Sequence, residues 1–210
     1  LVAAGAAQGV THRLPRWRRW ATGVALYLAA IALGLGSAWW VLKKAPWLVT
    51  SVTVGAWKTN LRAGSTDADM YTRAAIALNG LLALGREETM YFVATHDDTG
   101  AALRAQCRYR ITGKPPLARW WSVTAYADDL FLFDAPNGAY SLNGDTATLD
   151  NAGRFAFTTG PVVTDNSHWL PTPGKGGVLL ALRLYNPEPA LQAAPATLVP
   201  PTIARLGDCP

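Results

Sequence analysis

Residues 21–42 form an unbroken run of 22 side chains without a charge. As a helix rising 1.5 Å per residue the run is about 33 Å long, which matches a hydrocarbon layer of roughly 30 Å. Trp17 and Trp20 precede it, and Trp39, Trp40 and Trp47 lie at its far end, where amphipathic rings settle at the headgroup level. Arg13, Arg16, Arg18 and Arg19 lie before the run and Lys43 and Lys44 after it. The excess of positive charge on the N-terminal side predicts that this end stays in the cytoplasm and that everything after the span lies outside. The chain then divides into a basic tail (1–20), a transmembrane helix (21–42), a linker (43–54) and an outer domain (55–210). Gly36-Ser37-Ala38 also has the small-residue spacing of a peptidase site, so a cleaved signal peptide is the competing reading. Ala30, Gly34 and Ala38 recur every fourth residue and give the span a small-residue face on which another helix can pack.

The net charge of +5 points first to an anionic partner such as nucleic acid. Divided by position it does not. The first 44 residues carry 6 basic and no acidic side chains, and the remainder carries 13 basic against 14 acidic ones. The charge is therefore an orientation signal, and a basic nucleic-acid-binding domain is excluded. The expected partners are the lipid bilayer and other membrane-protein subunits.

Beyond the span the hydrophobic period changes from helical to extended. Residues 67–84 read as a helix with Ser65, Thr66 or Asp67 as its cap and Met70, Ala74, Leu78, Leu81 and Leu82 on one face. From Met90 onward the period is 2: Leu103, Ala105, Cys107, Tyr109 and Ile111 alternate with polar neighbours. Strands are expected at 90–95, 103–111, 119–126, 130–133, 154–158 and 178–185, separated by Gly-, Pro- and Asn-containing turns. The expected fold is mainly β, an antiparallel jelly-roll-like sandwich with one packed helix, preceded by the single transmembrane helix. Residues 187–201 read as an extended, proline-rich segment over the surface.

Chemistry-bearing patterns are few. Cys107 and Cys209 are the two cysteines and lie on the outer side, where disulfides persist; a bridge is favoured, and an inert buried thiol at Cys107 is its alternative. His96-Asp97-Asp98 reads as a hairpin turn, and no metal-ligand spacing is present. No cofactor is expected. Alternation through 119–126 places Trp120, Ser122, Thr124 and Tyr126 on one face, a mixture of aromatics and hydroxyls suited to a sugar ring or a peptide. With His168 and Arg183 these residues form the candidate ligand site: Trp120, Ser122, Tyr126, His168 and Arg183. A nucleophile–base pair of Ser122 and His168 has no evident orienting acid.

The stretches Asp69-Met70-Tyr71-Thr72-Arg73-Ala74, Met90-Tyr91-Phe92, Asp98-Thr99-Gly100 and 119–126 carry a resemblance. It continues through Tyr140-Ser141, 166–171, 182–187 and Pro200-Pro201. In this order they resemble the bacterial family labelled domain of unknown function 1214. The resemblance implies a jelly-roll-like antiparallel sandwich, often found with a second domain of unknown function, numbered 1254, and it brings no established reaction. Where that family usually has Asn before Trp-Leu-Pro, this chain has His168. The resulting expectation is a bacterial inner-membrane protein with a periplasmic sandwich, a non-catalytic accessory or structural subunit of a larger complex. An envelope carbohydrate-binding module or glycan-acting enzyme is the alternative.

Overall fold

The computed structural model describes residues 15–44, 51–78, 84–163 and 168–209. Most of the basic tail, Pro46 and Trp47, Leu81 and Leu82, and Asn166 and Ser167 lie outside the described residues. The chain divides into two units, residues 1–46 and 47–210.

The first unit is built on α1 (Arg16–Lys44). Pro15 precedes the helix and its carbonyl accepts from the Arg18 and Arg19 N–H groups. Within α1, residues Trp17–Val41 are long and apolar enough to cross a membrane. The two aliphatic hydroxyls of the span are satisfied inside the helix, Thr22 Oγ1 donating to the Arg18 carbonyl at 2.8 Å and Ser37 Oγ to the Gly34 carbonyl at 3.0 Å. That is the arrangement an apolar medium requires of polar groups.

The second unit is a sandwich of two sheets. Its strands are β1 (Ser51–Val54), β2 (Trp57–Asn60), β3 (Thr89–Ala94), β4 (Tyr109–Gly113), β5 (Ala118–Ala127), β6 (Ser141–Asn143), β7 (Phe155–Gly160), β8 (His168–Pro171), β9 (Val178–Pro187) and β10 (Thr202–Arg205). The larger sheet runs β1-β2-β3-β9-β5-β6 and the smaller β10-β4-β7-β8. Pairing is antiparallel except between β7 and β8, which run parallel. The expectation of a mainly β, two-sheet fold with few helices holds. β1 occupies 51–54, the last four residues of the stretch read as linker.

The core lies between the sheets, and the two-residue period of each strand decides what enters it. Phe92, Val123 and Leu182 share one register row on β3, β5 and β9 and are all fully buried. Tyr109, Ile111, Phe155, Phe157 and Ile203 meet them from the smaller sheet. Trp121 stacks on Phe155 with ring centroids 4.6 Å apart, tying one sheet to the other. Each such buried aromatic contributes on the order of 2–3 kcal/mol of hydrophobic stabilisation.

Several sequence expectations are corrected here. The helix expected from residue 67 starts at Met70 in α2 (Met70–Leu78), because the cap is Asp69: its Oδ1 accepts the Tyr71 and Thr72 N–H groups, each at 2.9 Å, and the expected continuation through 79–83 lies outside the described residues. These amides hold the Asp69 carboxyl below its ordinary range. Met70, expected on the packed face, is 76% exposed, while Thr72 is buried. Residues 103–108 are not a regular strand, although Leu103, Ala105 and Cys107 are buried as the alternation predicts. Residues 130–133 contribute one isolated bridge, Leu132 to Tyr126. The segment expected to be extended, 187–201, contains α3 (Pro189–Ala193) and a 3₁₀ turn at Pro195–Thr197 that bury Leu191 and Pro195.

Candidate functional site

The outward face of the larger sheet is set by the same register that fills the core. Opposite the inward row on β9 stand Ala181, Arg183 and Tyr185, which pair with Thr124, Ser122 and Trp120 on β5. On the other side of β9, Arg183 pairs with Tyr91 of β3, and beyond β5, Ser122 pairs with Asn143 of β6. A row of Tyr91, Arg183, Ser122 and Asn143 therefore crosses four strands.

The large side chains of this face are fixed to one another. Arg183 Nη2 donates to the Tyr126 hydroxyl, and the Arg183 guanidinium carbon lies 5.5 Å from the centre of the Tyr126 ring. Trp120 meets Tyr185 edge to face at 5.2 Å, and Trp120 Nε1 donates to Asp145 Oδ2 at 2.8 Å. Arg183, Tyr126, Trp120 and Tyr185 are half-buried, whereas Ser122 and Thr124 are only 3% and 4% exposed. Four of the five candidate ligand residues thus share one face, with Ser122 as floor and the other three presented to solvent.

His168 stands apart from them. It lies on β8 of the smaller sheet, where Nε2 is 3.0 Å from Thr148 Oγ1. It lines a groove of about 520 Å³ with Tyr140, Asn143 and Trp169. Asn137 Nδ2 donates to the Trp169 carbonyl and Trp169 Nε1 to the Gly160 carbonyl, which pins the groove wall. Ser122 and His168 are on different sheets, so the nucleophile–base pair is not formed.

The remaining motifs are structural. Asp97 Oδ1 accepts from the Thr99 hydroxyl at 2.6 Å and from the Thr99 and Ala101 N–H groups, and Arg205 Nε lies 3.7 Å from Oδ2. Burial raises the Asp97 carboxyl, but these donors and the Arg205 charge outweigh it and leave the group below its ordinary value. Asp98 Oδ2 accepts the Ile203 N–H at 2.8 Å and so holds β10 to the turn. Asp128 Oδ2 accepts the Gly177 N–H at 2.7 Å. Cys107 and Cys209 are joined in a disulfide, so the buried-thiol alternative falls. Among the described residues no group of three or more His, Cys, Asp or Glu gathers in a metal-binding cluster.

On α1, Trp17, Trp20, Trp39 and Trp40 are exposed near the two ends of the apolar stretch, and Ala30, Gly34 and Ala38 are exposed along it. A side chain built at Gly34 would meet nothing within 4 Å. Sequence reading missed Tyr185, Asn143 and Asp145 as members of the outer face and of its rim. Tyr185 had a usable signal, since it lies two residues from Arg183 and a strand places such pairs on one side.

Comparison with known proteins adds the following. Residues 88–189 match the family model described as protein of unknown function (DUF1214). Among solved structures, the VPA0106 protein from Vibrio parahaemolyticus is similar with a TM-score of 0.55 and 24% identity, over 67% of this chain and 36% of that one. A putative uncharacterized protein from Burkholderia cenocepacia aligns with a TM-score of 0.40 and 13% identity, over 84% of this chain and 52% of that one. This chain thus spans about a third and about half of the lengths of those two proteins. No curated protein matches. The stretch from β3 to the start of α3 is where the sequence resemblance and the family model coincide, and over residues 88–189 the chain is similar to the DUF1214 family.

Proposed function

We propose that the protein is a single-pass inner-membrane protein, N-terminus in the cytoplasm and sandwich in the periplasm, serving as a non-catalytic accessory subunit of a larger membrane complex. The observation that carries this reading is the outer sheet face. Its accessible groups include Arg183, Tyr126, Trp120 and Tyr185, which recognise rather than react, and its aliphatic hydroxyls Ser122 and Thr124 are buried. The basic residues before the span support the orientation, and the Cys107–Cys209 bridge fits an oxidising compartment. Along α1 the row Ala30, Gly34 and Ala38 offers close approach to a neighbouring helix. The test is the native mass of the full chain extracted in mild detergent, compared with Gly34→Leu. A complex that dissociates on that substitution supports the reading, and a monomer in both preparations contradicts it.

The second reading is a carbohydrate-binding module of the cell envelope. It is favoured by the edge-to-face pair of Trp120 and Tyr185 beside Arg183, since aromatic faces with nearby polar groups suit sugar rings. Titration of the full chain with oligosaccharides, followed by tryptophan fluorescence, tests it; a signal lost in Trp120→Ala supports it, and no saturable signal opposes it.

A further inference from the structure

The outer face holds a cation in an aromatic setting. Among the described residues no carboxylate lies within ion-pair distance of Arg183; the ion pairs found there involve Arg62, Arg154 and Arg205. Its polar partner is the neutral Tyr126 hydroxyl, and Tyr126 also offers its ring. A guanidinium has five N–H donors, so one bond to a phenol leaves most of its capacity unused. Half-burial among Tyr126, Ser122 and Tyr91 strengthens its field relative to open water.

Lys58 also stands on this face, exposed in the register row of Val93, Ala181 and Thr124, and at the rim the Asp145 carboxylate is engaged by Trp120 Nε1. That bond fixes the indole, and Tyr185 supports it edge-on. The face therefore presents one fork-shaped donor, Arg183, leaning along the ladder toward Tyr126, and on the other side of the Ser122 row a braced aromatic pair. Adsorption of polyanions by bulk charge is no explanation for binding here, because the chain beyond residue 44 has 13 basic and 14 acidic side chains.

We infer that this face is a receptor for acidic sugars: the carboxylate of one hexuronate unit in an anionic glycan sits on Arg183, and the ring of a neighbouring unit packs against Trp120 and Tyr185. A planar carboxylate matches the guanidinium fork. The inference rests on the carbohydrate-binding reading and narrows it to a ligand class.

The test uses the full chain in an uncharged detergent at low salt. The probes are trigalacturonate and its fully methyl-esterified, uncharged counterpart, with binding followed by calorimetry. The expected result is saturable binding of trigalacturonate, with the ester weaker by about tenfold or more, as loss of a charge-assisted pair implies. Arg183→Gln removes the same increment, Arg183→Lys restores part of it, and the remote Arg154→Gln leaves it unchanged. Tyr126→Phe, which keeps the cation but frees it from the phenol, retains preference for the acid, and it keeps the question open to test should Arg183→Gln fail to fold. Equal affinity for acid and ester, or Arg183→Gln binding like the parent, overturns the inference. If acid and ester bind alike and Trp120→Ala abolishes both, the carbohydrate-binding reading stands and the acidic class falls. If neither probe binds, the inference is overturned, while the subunit reading is judged separately by native mass.

Discussion

Arg183 on β9 and Tyr126 on β5 hold each other twice, through the Nη2 donor to the phenol oxygen and through the ring, whose centre lies 5.5 Å from the guanidinium carbon. Their register partners are Ser122 and Leu179, so the contact runs diagonally along the ladder, across the row of Ala181 and the buried Thr124. Tyr126→Phe deletes the hydrogen bond and keeps the ring. We expect a loss of about 1 kcal/mol in denaturant unfolding, because the pair is half exposed and water replaces part of the bond.

Asp97 sets a pH dependence. Its folded value lies below the ordinary 3.8, so its ionised form contributes stability that is complete above the unfolded value and lost as pH falls through the folded one. The parent is therefore expected to lose stability below about pH 4. Asp97→Asn has no such titration and flattens that acid limb, although Asp69 and Asp150, also lowered, keep part of the slope. Unfolding midpoints from pH 2 to 7 check this; an unchanged slope in the variant contradicts it. Asp97→Ala, which leaves the Thr99 and Ala101 amides without their acceptor, is expected to cost about 2–3 kcal/mol.

The bridge from Cys107 to Cys209 closes a loop with a sequence separation of 102. In the chain-entropy model a loop of about 100 residues gives roughly 4.7 kcal/mol. Replacing both cysteines by serine is expected to lower stability by a large part of that amount, measured by denaturant unfolding against the oxidised parent. Alkylation in intact cells before lysis is expected to find no free thiol if the domain lies in the periplasm as proposed.

Gly177 has no room for a methyl group. A Cβ there would lie 2.2 Å from Asp128 Oδ1, and that carboxylate already accepts the Gly177 N–H. Gly177→Ala is expected to destabilise by about 1–3 kcal/mol. Combining it with Asp128→Ala should cost less than the sum of the two, because the clash is then removed.

How far the sequence revealed this fold depends on the kind of signal. The two-residue period in β5 and β9 was legible because both strands are long and fill the core from one side. Between residues 103 and 108 the same alternation buried the right side chains without a regular strand, since a turn bond from the Cys107 N–H to the Arg104 carbonyl replaces ladder pairing. β1, β2, β6, β8 and β10, of three or four residues each, are too short for a periodic pattern, and β10 is in addition held by a partner distant in sequence, β4. The candidate site was legible only within strands. Trp120, Tyr126 and Arg183 meet because β5 and β9 are neighbours; His168 belongs to the other sheet, which no local pattern reports.

The central claim is that a membrane-spanning helix carries this sandwich into a larger assembly. Its most direct measurement is the native mass of the full chain extracted from its own membrane in mild detergent. The account predicts a species heavier than one chain plus its micelle, reduced to one chain by Gly34→Leu. A single chain in both preparations would contradict it.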